Sequence, residues 1–303
     1  MEESLLTTAK DLYKQALSFV VHKELEVRKT GRLTLGGWFD LASQIVHSLA
    51  LSQQLNSYAV YYYDVIDITR SHVVNSAIFS TVLAKGLGYT ENDLMRVCAA
   101  ALLHDIGIGS INQEVLHKEV TRLAKRDLKA VESHSQLGYK LILNANPRLE
   151  EIALSILQHH ERGDGSGYPQ KIMEDQMLPI AKILTLIDTY EALIHPRDHR
   201  DALIPPLGLQ ELIKQEGKSF SKPIMKALIE SISLFPAGCY VKLNSGEIAK
   251  VIRTNPKYPN RPEVEILFDN SGRRTKPRQV NLSHDNLIYI QRCTALPGMA
   301  QTE

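Results

Sequence analysis

Histidine and aspartate residues stand at unusual places in apolar segments of this chain. His72 shares one helical stripe with Phe79 and Leu83, because steps of three and four residues return to the same face of a helix. A second apolar helix ends in His104 and Asp105. A buried aspartate without a partner is costly, so Asp105 requires a metal, a cation or a cage of hydrogen bonds. A lone His-Asp pair also fits a helix cap with a salt bridge, and a lone histidine fits an ordinary core position.

The same pattern recurs further along the chain. His134 falls in line with Leu141 on a third predicted helix, and Asp188 lies inside an apolar run on a fourth. Between them stand His159 and His160. Imidazole and carboxylate groups without thiolates suit iron, manganese, nickel or zinc, and there are more of them than one tetrahedral metal needs. An aspartate that two ions can share indicates a centre with two metals.

Helices must position these side chains, because periodicity of three and four continues through most of the chain. The helices that carry the candidate ligands are predicted at residues 69–85, 94–106, 127–143, 152–160 and 180–194. After residue 235 the residue pattern changes, and short β-prone segments are separated by turn residues. These segments lie at residues 240–243, 248–253, 264–268 and 287–290. The predicted fold class is mainly α, with a small C-terminal β-module. The predicted parts are 1–65, 66–235, 236–292 and a flexible tail at 293–303.

Composition narrows the function classes. Hydrophobic residues make up 44% of the 303 residues, which excludes disorder as the main state. Thirty-five Lys and Arg nearly balance 34 Asp and Glu, so no global field recruits nucleic acid or a membrane surface. Three distant cysteines favour neither a disulfide framework nor a thiolate zinc site. With no apolar run of membrane length and no signal-peptide pattern, we expect a soluble, cytoplasmic protein without nucleic-acid or membrane partners.

The order and spacing of the candidate ligands resemble a known family. His72, the run His104 to Gly107, His134, and the run His159 to Pro169 followed by Asp188 are similar to the motifs of the HD-GYP family of bacterial cyclic-di-GMP phosphodiesterases. This family is a branch of the HD metal-dependent phosphohydrolases. The resemblance covers residues 66–235 and implies an HD-type helical bundle. It also implies that residues 1–65 regulate or dimerise, and the β-module resembles the C-terminal extension of many members.

The resemblance implies the ligand sets and the reaction. One metal would be held by His72, His104, Asp105 and Asp188, and the other by Asp105, His134, His159 and His160. The catalytic residues would be His104 and Asp105, with Asp105 bridging. A hydroxide shared by the metals would open cyclic-di-GMP to linear pGpG, with GMP as a further product. Iron is the expected metal, with manganese, nickel or zinc as alternatives.

Two positions depart from the family pattern. Some members bind a third metal through a glutamate four residues before the first histidine, where this chain has Ile68. Members usually carry a lysine near the substrate phosphate at the position of Ile108, so reduced activity is expected here. A catalytically weak cyclic-di-GMP receptor and a phosphohydrolase of another cyclic dinucleotide or nucleotide are the alternatives. Arg197, Arg200 and Lys182 are the candidate substrate-binding residues.

The glycine-rich segment after the histidine pair has two interpretations. It contains the motif residues Asp164, Gly165, Gly167, Tyr168 and Pro169. Glycine and proline at these positions would shape a tight turn whatever its purpose. In the family the same loop docks diguanylate cyclase (GGDEF) domains, which makes Tyr168 a candidate partner contact. A homodimer is a further expectation.

Overall fold

The structure is a computed structural model. It describes residues 2–61, 68–116, 124–196, 202–203, 205–214, 219–232, 235, 237–255 and 257–294. The prediction of a mainly α-helical chain that ends in a small sheet is confirmed. The bounds of the helices are α1 Glu2–Thr30, α2 Trp38–Leu51, α3 Gln54–Tyr61, α4 Ile68–Gly86, α5 Glu91–Leu103, α6 Gln113–Leu116, α7 Lys125–Glu132, α8 His134–Ala145, α9 Glu150–Leu157, α10 Pro179–Ile194, α11 Pro205–Lys214 and α12 Lys222–Ser231.

Helix α4 occupies the centre of the bundle. All its residues from Ser71 to Thr81 are buried, whereas a surface helix buries only one stripe. It packs against α1, α3, α5, α10 and α12. The polar side chains on α4 therefore face other helices and must find partners there, which is the condition for a buried polar site.

The N-terminal helices share this core. Tyr13 of α1 and Trp38 and Ile45 of α2 are almost fully buried in the same hydrophobic cluster as Phe79 and Leu103. Among the described residues there is thus no separate core for the region 1–65. We describe this region as part of the bundle, and its expected regulatory or dimerising role stays a prediction.

Two predicted helices end earlier than periodicity indicated, and a third is divided in two. Helix α5 stops at Leu103, and a 3-10 helix at Ile106–Ser110 follows, so His104 caps α5. The predicted helix 127–143 is two helices, because the chain turns between Glu132 and His134. Helix α9 ends at Leu157, which leaves His159 and His160 in a turn.

The C-terminal module is one antiparallel sheet with its own core. Its strands are β1 Tyr240–Leu243, β2 Ile248–Arg253, β3 Glu263–Phe268, β4 Arg274–Asn281 and β5 Ile290–Cys293, in the order β4-β3-β2-β1-β5. Val241, Leu243, Val251 and Val264 form the core with Phe235 and their neighbours.

Two strands correct the sequence prediction. The edge strand β4 was missed, since its exposed Arg, Lys, Pro and Gln residues show no apolar alternation. The strand predicted at 287–290 lies at Ile290–Cys293, where Cys293 pairs with Val241. Cys293 is therefore a strand residue and not the start of the predicted tail.

None of the helices in the described ranges combines the length and the apolar character that a membrane crossing requires. Cys98 and Cys239 are both buried.

Candidate metal centre

The structure brings all seven predicted ligands together in two groups. One group contains Asp105, His134, His159 and His160, and the other contains His72, His104 and Asp188. Within each group the candidate ligand atoms lie within 4.8 Å of one another. The side chains come from α4, from the end of α5, from the start of α8, from the turn after α9, and from α10. Residues up to 116 positions apart thus converge on one interior point.

Three of the histidines are anchored by the same local device. In His104, His134 and His159 the Nδ1 atom lies 2.6–2.7 Å from the carbonyl oxygen three residues earlier, on Ala101, Val131 and Ile156. A carbonyl only accepts, so each Nδ1 carries a proton, and in the neutral ring each Nε2 presents a lone pair to the centre. Histidines that bind metals are held in this way.

His72 is oriented by a carboxylate instead. Its Nδ1 contacts Glu191 Oε2, and its Nε2 lies 2.9 Å from Asp188 Oδ1. Glu191 is itself fixed, since Asn75 donates to Oε1 at 3.2 Å and His195 Nδ1 lies 2.9 Å from the same oxygen. Tyr13 donates its hydroxyl proton to Asn75 at 2.8 Å. A chain of hydrogen bonds therefore runs from helix α1 to a candidate ligand.

The two aspartates tie the groups to each other. Asp105 Oδ2 lies 3.3 Å from His104 Nε2, and Asp105 Oδ1 lies 3.3 Å from His134 Nε2. Asp188 Oδ2 lies 3.7 Å from His160 Nδ1, while its other oxygen meets His72. Asp105 faces both groups with different oxygens, which is the arrangement that a bridging carboxylate needs.

The residues present fit metal ions. His134 Nε2 lies 3.2 Å from His159 Nε2 and 3.1 Å from His160 Nε2. Because the Nδ1 atoms of His134 and His159 hold the protons, their Nε2 atoms cannot donate to each other, and lone pairs point at lone pairs. His104 Nε2 is buried and has no hydrogen-bond partner of good geometry in the described part of the chain. A cation among these nitrogens satisfies all of them.

The electrostatics keep the acids charged and two histidines neutral. Burial alone would raise the pKa of Asp105, but the charge of His104 and its neighbours outweighs burial and holds the pKa well below its usual range. Burial would also raise the pKa of Asp188. The hydrogen bond to His72 and the charges of the nearby histidines outweigh burial, so the pKa of Asp188 is low as well. Burial lowers the pKa of His159 well below its usual range and that of His160 to about 4. Ionised carboxylates and neutral imidazoles are the forms that bind metals. At His104 the neighbouring Asp105 outweighs burial and raises the pKa, so a metal ion bound there would displace a proton.

The loop after the histidine pair is built around a buried glutamate. Glu161 accepts from the backbone N–H groups of Gln170, Lys171 and Ile172 at 2.5–3.2 Å, so it closes the loop and is not a ligand. A Cβ on Gly167 would lie 2.4–2.5 Å from backbone atoms of residues 160–162. Glycine is therefore required there for close backbone approach.

Of the remaining loop residues, Asp164 lies at the surface and Tyr168 lies beside the candidate metal centre. Asp164 is exposed and accepts from Ser166 through one oxygen, and Gly165 has a φ of 74°. The ring of Tyr168 lies 4.7 Å from that of His160, and Pro169 follows it through a cis peptide bond. Burial and the nearby aspartates raise the pKa of Tyr168, so its hydroxyl stays protonated beside the centre.

Of the three predicted substrate-binding residues, the structure describes only Lys182. Lys182 lies 3.9 Å from Glu174 and belongs to neither candidate metal group. Arg197 and Arg200 lie outside the described residues. Ile108 is half-buried on the 3-10 helix that follows Asp105, and Ile68 begins α4.

Sequence reasoning missed the residues that hold the ligands. Glu191 and Asn75 each stand three residues after a candidate ligand on the same helix, and both are buried. Burial of a glutamate in the apolar helix α10 was the available signal, since a buried carboxylate needs partners.

Comparison with known proteins identifies the class. A family model described as HD domain matches residues 47–222, and one described as KOW domain associated with HD domain matches residues 240–301. The first match covers more than half of the chain, so the chain belongs to the HD domain family. The solved structure of Bd1817, an HDG"Y"P protein from Bdellovibrio bacteriovorus, shares the fold, with a TM-score of 0.60 and 19% identity over 74% of this chain and 71% of that one. The resemblance inferred from the motifs is confirmed.

Curated relatives carry consistent names. The chain is 29% identical over 199 residues to the cyclic di-GMP phosphodiesterase PdeB of Borreliella burgdorferi, covering 66% of this chain and 52% of that one. It is 25% identical to the cyclic di-GMP phosphodiesterase PA4108 of Pseudomonas aeruginosa, covering 71% and 51%. The 3'3'-cGAMP-specific phosphodiesterase 2 of Vibrio cholerae is 29% identical over 54% of this chain and 31% of its own length. The chain thus spans about half the length, or less, of these relatives.

Proposed function

We propose that this protein is a metal-dependent phosphodiesterase that hydrolyses cyclic-di-GMP to linear pGpG. The observation that carries the proposal is the convergence of five histidines and two aspartates with lowered pKa on one buried centre. Two relatives named as cyclic di-GMP phosphodiesterases match 66% and 71% of this chain. Hydrolysis adds water across one bond between phosphorus and a 3'-oxygen. The phosphorus stays bonded to the 5'-oxygen as a terminal phosphate, and the 3'-oxygen leaves and takes up a proton.

The two candidate groups support a binuclear centre. His72, His104 and Asp188 would hold one ion, His134, His159 and His160 would hold the other, and Asp105 would bridge them. When bound, two divalent cations make a shared water acidic and offset charge on the attacked phosphate. Iron is the proposed metal, with manganese, nickel and zinc as alternatives, because nitrogen and oxygen donors without thiolate suit all four. Ile68 cannot ligate, which favours two ions over three and pGpG over GMP.

The chain's own residues organise this chemistry. Glu191 and the main-chain carbonyls fix the imidazole rings, so little reorganisation is needed when ions and substrate bind. Tyr168 stays protonated against His160, where its hydroxyl can donate a hydrogen bond to a phosphate or a ribose. Arg197, Arg200 and Lys182 are proposed to contact the substrate. The metal ions and these cations would then bind a dianionic substrate, so no wider basic surface is needed. We propose that the reaction takes place in the cytoplasm.

A second substrate is favoured by a specific observation. Two relatives in Vibrio cholerae are named as 3'3'-cGAMP-specific phosphodiesterases, at 29% and 26% identity. Both dinucleotides contain the same pair of phosphodiester bonds and differ in one base. The metal centre therefore cannot discriminate between them, and base contacts must.

The departure at Ile108 supports a different alternative. Loss of a cation near the scissile phosphate costs about 10² to 10³ in rate. A protein with complete ligands and weak turnover would act as a cyclic-di-GMP receptor that signals through its N-terminal helices. Docking of GGDEF domains on the loop around Tyr168 and homodimer formation belong to the same proposal as candidate partners.

The test is a product assay on protein prepared without oxygen and loaded with Fe(II) or Mn(II). We expect cyclic-di-GMP to be converted to pGpG faster than 3'3'-cGAMP is cleaved, and the Asp105→Ala variant to lose the activity. Faster cleavage of 3'3'-cGAMP would change the substrate. Tight binding of cyclic-di-GMP with no turnover under any of the four metals would support the receptor instead.

A further inference from the structure

A polar layer, formed by Asn75 and Glu191, lies one helical turn along from two candidate ligands. On α4, Asn75 follows His72 by three residues and shares its face of the helix. On α10, Glu191 follows Asp188 by the same step. Asn75 donates to Glu191 Oε1 at 3.2 Å, and Glu191 Oε2 contacts His72 Nδ1. The polar layer therefore holds a candidate ligand in place.

Helix α1 completes the polar layer through a tyrosine hydroxyl. Tyr13 donates to Asn75 Oδ1 at 2.8 Å. Tyr13, Asn75 and Glu191 are each at most 1% exposed, so water does not compete for these contacts. The ring of Tyr13 packs edge-on against that of Tyr58 in α3, with 5.1 Å between the ring centres. The position of the hydroxyl is thus fixed by two N-terminal helices.

The Tyr13 hydroxyl determines which way the Asn75 amide faces. A side-chain amide has an oxygen that accepts and a nitrogen that donates. Because Tyr13 donates to the oxygen, the nitrogen faces Glu191 and donates to its carboxylate. The opposite orientation would place the amide oxygen against a carboxylate oxygen, and two acceptors repel each other. Tyr13 thereby maintains the contact that orients Glu191, and Glu191 turns the Nε2 atom of His72 toward the candidate metal centre.

Helix α1 is attached to α4 on both sides of His72. Before this histidine, Arg70 Nε and Nη2 each donate to Glu24 of α1 at 2.8 Å. After it, Asn75 accepts from Tyr13. A shift of α1 would therefore act on α4 at two points that enclose a candidate ligand.

We propose that Tyr13 is a positioning residue, which acts through the polar layer on His72 and thereby sets the affinity of one metal group for its ion. The inference rests on the proposed function, since it requires that both groups bind metals. It adds a residue of the N-terminal region to the centre and gives α1 a physical route by which to regulate it. The other group should not respond, because His134 and His159 are anchored on nearby main-chain carbonyls.

A purely structural network that joins α1 to α4 is the competing explanation. Such a network would make the Tyr13→Phe variant less stable and leave both groups with unchanged metal affinity. Tyr139→Phe is the matched control. Tyr139 packs against the same core from α8, the helix that begins with His134, and this change removes a hydroxyl outside the polar layer.

The test measures Mn(II) affinity at each group separately, in full-length protein prepared without oxygen. The His159→Ala background keeps the group of His72, His104 and Asp188, and the Asp188→Ala background keeps the group of Asp105, His134, His159 and His160. Binding is followed by calorimetry and by the electron paramagnetic resonance spectrum of the bound ion.

The expected effect is confined to one group. In the His159→Ala background, Tyr13→Phe should weaken Mn(II) binding about fivefold and alter the spectrum, because its effect reaches the ligand through two intermediate side chains. Tyr139→Phe should stay within about twofold there. In the Asp188→Ala background, both tyrosine variants should stay within about twofold.

A double substitution tests the route through Asn75. In the His159→Ala background, Asn75→Ala should weaken Mn(II) binding at least as much as Tyr13→Phe does. Adding Tyr13→Phe to Asn75→Ala should then weaken binding no further, because the two side chains act in series. Independent losses that multiply would overturn this route.

The outcomes separate this inference from the proposed function. If the unchanged protein binds Mn(II) at neither group, the proposed function fails and the role of Tyr13 fails with it. If the unchanged protein binds Mn(II) at both groups and Tyr13→Phe changes the affinity of neither, only the role of Tyr13 is overturned. Equal weakening at both groups, or equal weakening by Tyr13→Phe and Tyr139→Phe, would also overturn it and assign the hydroxyl to general stability.

Discussion

At the scale of single residues, the ring nitrogen that faces away from the centre determines what each histidine can do. The Nδ1 atoms donate to carbonyl oxygens three residues earlier in His104, His134 and His159. In His72 the Nδ1 atom contacts the carboxylate of Glu191. This orients the lone pairs before any ion arrives. Ligand identity was visible in the sequence, but these anchors depend on where helices end and on a helix distant in the chain.

Glu191→Gln tests the anchor of His72. The amide keeps the shape but removes the charge that favours the Nδ1 proton, so affinity for a metal at the His72 group should fall about 10- to 100-fold. Titration of metal-free protein with Mn(II) measures it, with the exposed Glu230→Gln as control. Unchanged affinity at both sites would show that Glu191 only packs.

His160 gives a pH dependence with a definite sign. In the metal-free protein its pKa is lowered to about 4 by burial, against about 6.5 for an ordinary histidine. Between these values the unfolded chain binds the extra proton and the folded chain does not, so stability falls as the pH drops from about 6.5 to about 4. The loss attributable to this group is at most about 3 kcal/mol.

Urea unfolding of the metal-free protein across this pH range checks the prediction. The His160→Ala variant should lose part of the pH dependence, while the variant of the exposed His47, His47→Ala, should keep it. An unchanged pH profile in His160→Ala would contradict the assigned environment of this imidazole.

At the scale of elements, glycine allows the turn after Asp105 to reach helix α8. A Cβ on Gly107 would lie 2.0 Å from the carbonyl oxygen of His134 and 2.7 Å from the backbone nitrogen of Gly138. The two backbones therefore touch where the candidate ligands Asp105 and His134 meet. Periodicity cannot reveal such an approach, although Gly107 directly after the His-Asp pair marked the break.

Gly107→Ala should separate these elements. Neither contact atom belongs to a flexible side chain, so the backbone must shift, and we expect a loss of about 2 to 4 kcal/mol together with weakened metal binding. Thermal unfolding and metal content check this. Gly36→Ala, where no atom lies within 4 Å of the added Cβ, should be close to neutral. A Gly107→Ala variant with wild-type stability would contradict the close approach.

How much the sequence predicted differs between elements. Helices α4 and α10 were predicted to within a residue, because apolar periodicity and a flanking proline or glycine define them. The break at Ser133 was missed, since periodicity continues in phase across it and His134 stays on the same face. Strand β4 was missed because its pairing with β3, and not its own pattern, makes it a strand.

At the scale of the whole molecule, the N-terminal helices belong to the same helical bundle as the candidate metal centre. Tyr13, Trp38 and Ile45 are at most 1% exposed in the shared core, and each such burial contributes about 1.5 to 3 kcal/mol. The HD domain match begins at residue 47, within this region. The predicted boundary at residue 65 stays a prediction, which a truncated chain would test.

A chain that begins at residue 66 should fail to fold cooperatively. Its α4 and α5 would expose apolar surface that α1 and α2 cover. The free energy lost with that burial is comparable to the usual stability of a domain, about 5 to 15 kcal/mol. Calorimetry and circular dichroism on the truncated and full chains check this. A sharp two-state transition with unchanged metal binding in the shorter chain would establish residues 1–65 as a separate unit.

The central claim is that two metal ions bound by seven side chains hydrolyse a cyclic dinucleotide. The most direct measurement determines metal content and the time course of products on one anaerobic preparation, with Asp105→Asn in parallel. We expect about two ions per chain, steady formation of pGpG from cyclic-di-GMP, and loss of both in the variant. One ion or none per active chain, or full activity in Asp105→Asn, would contradict the account.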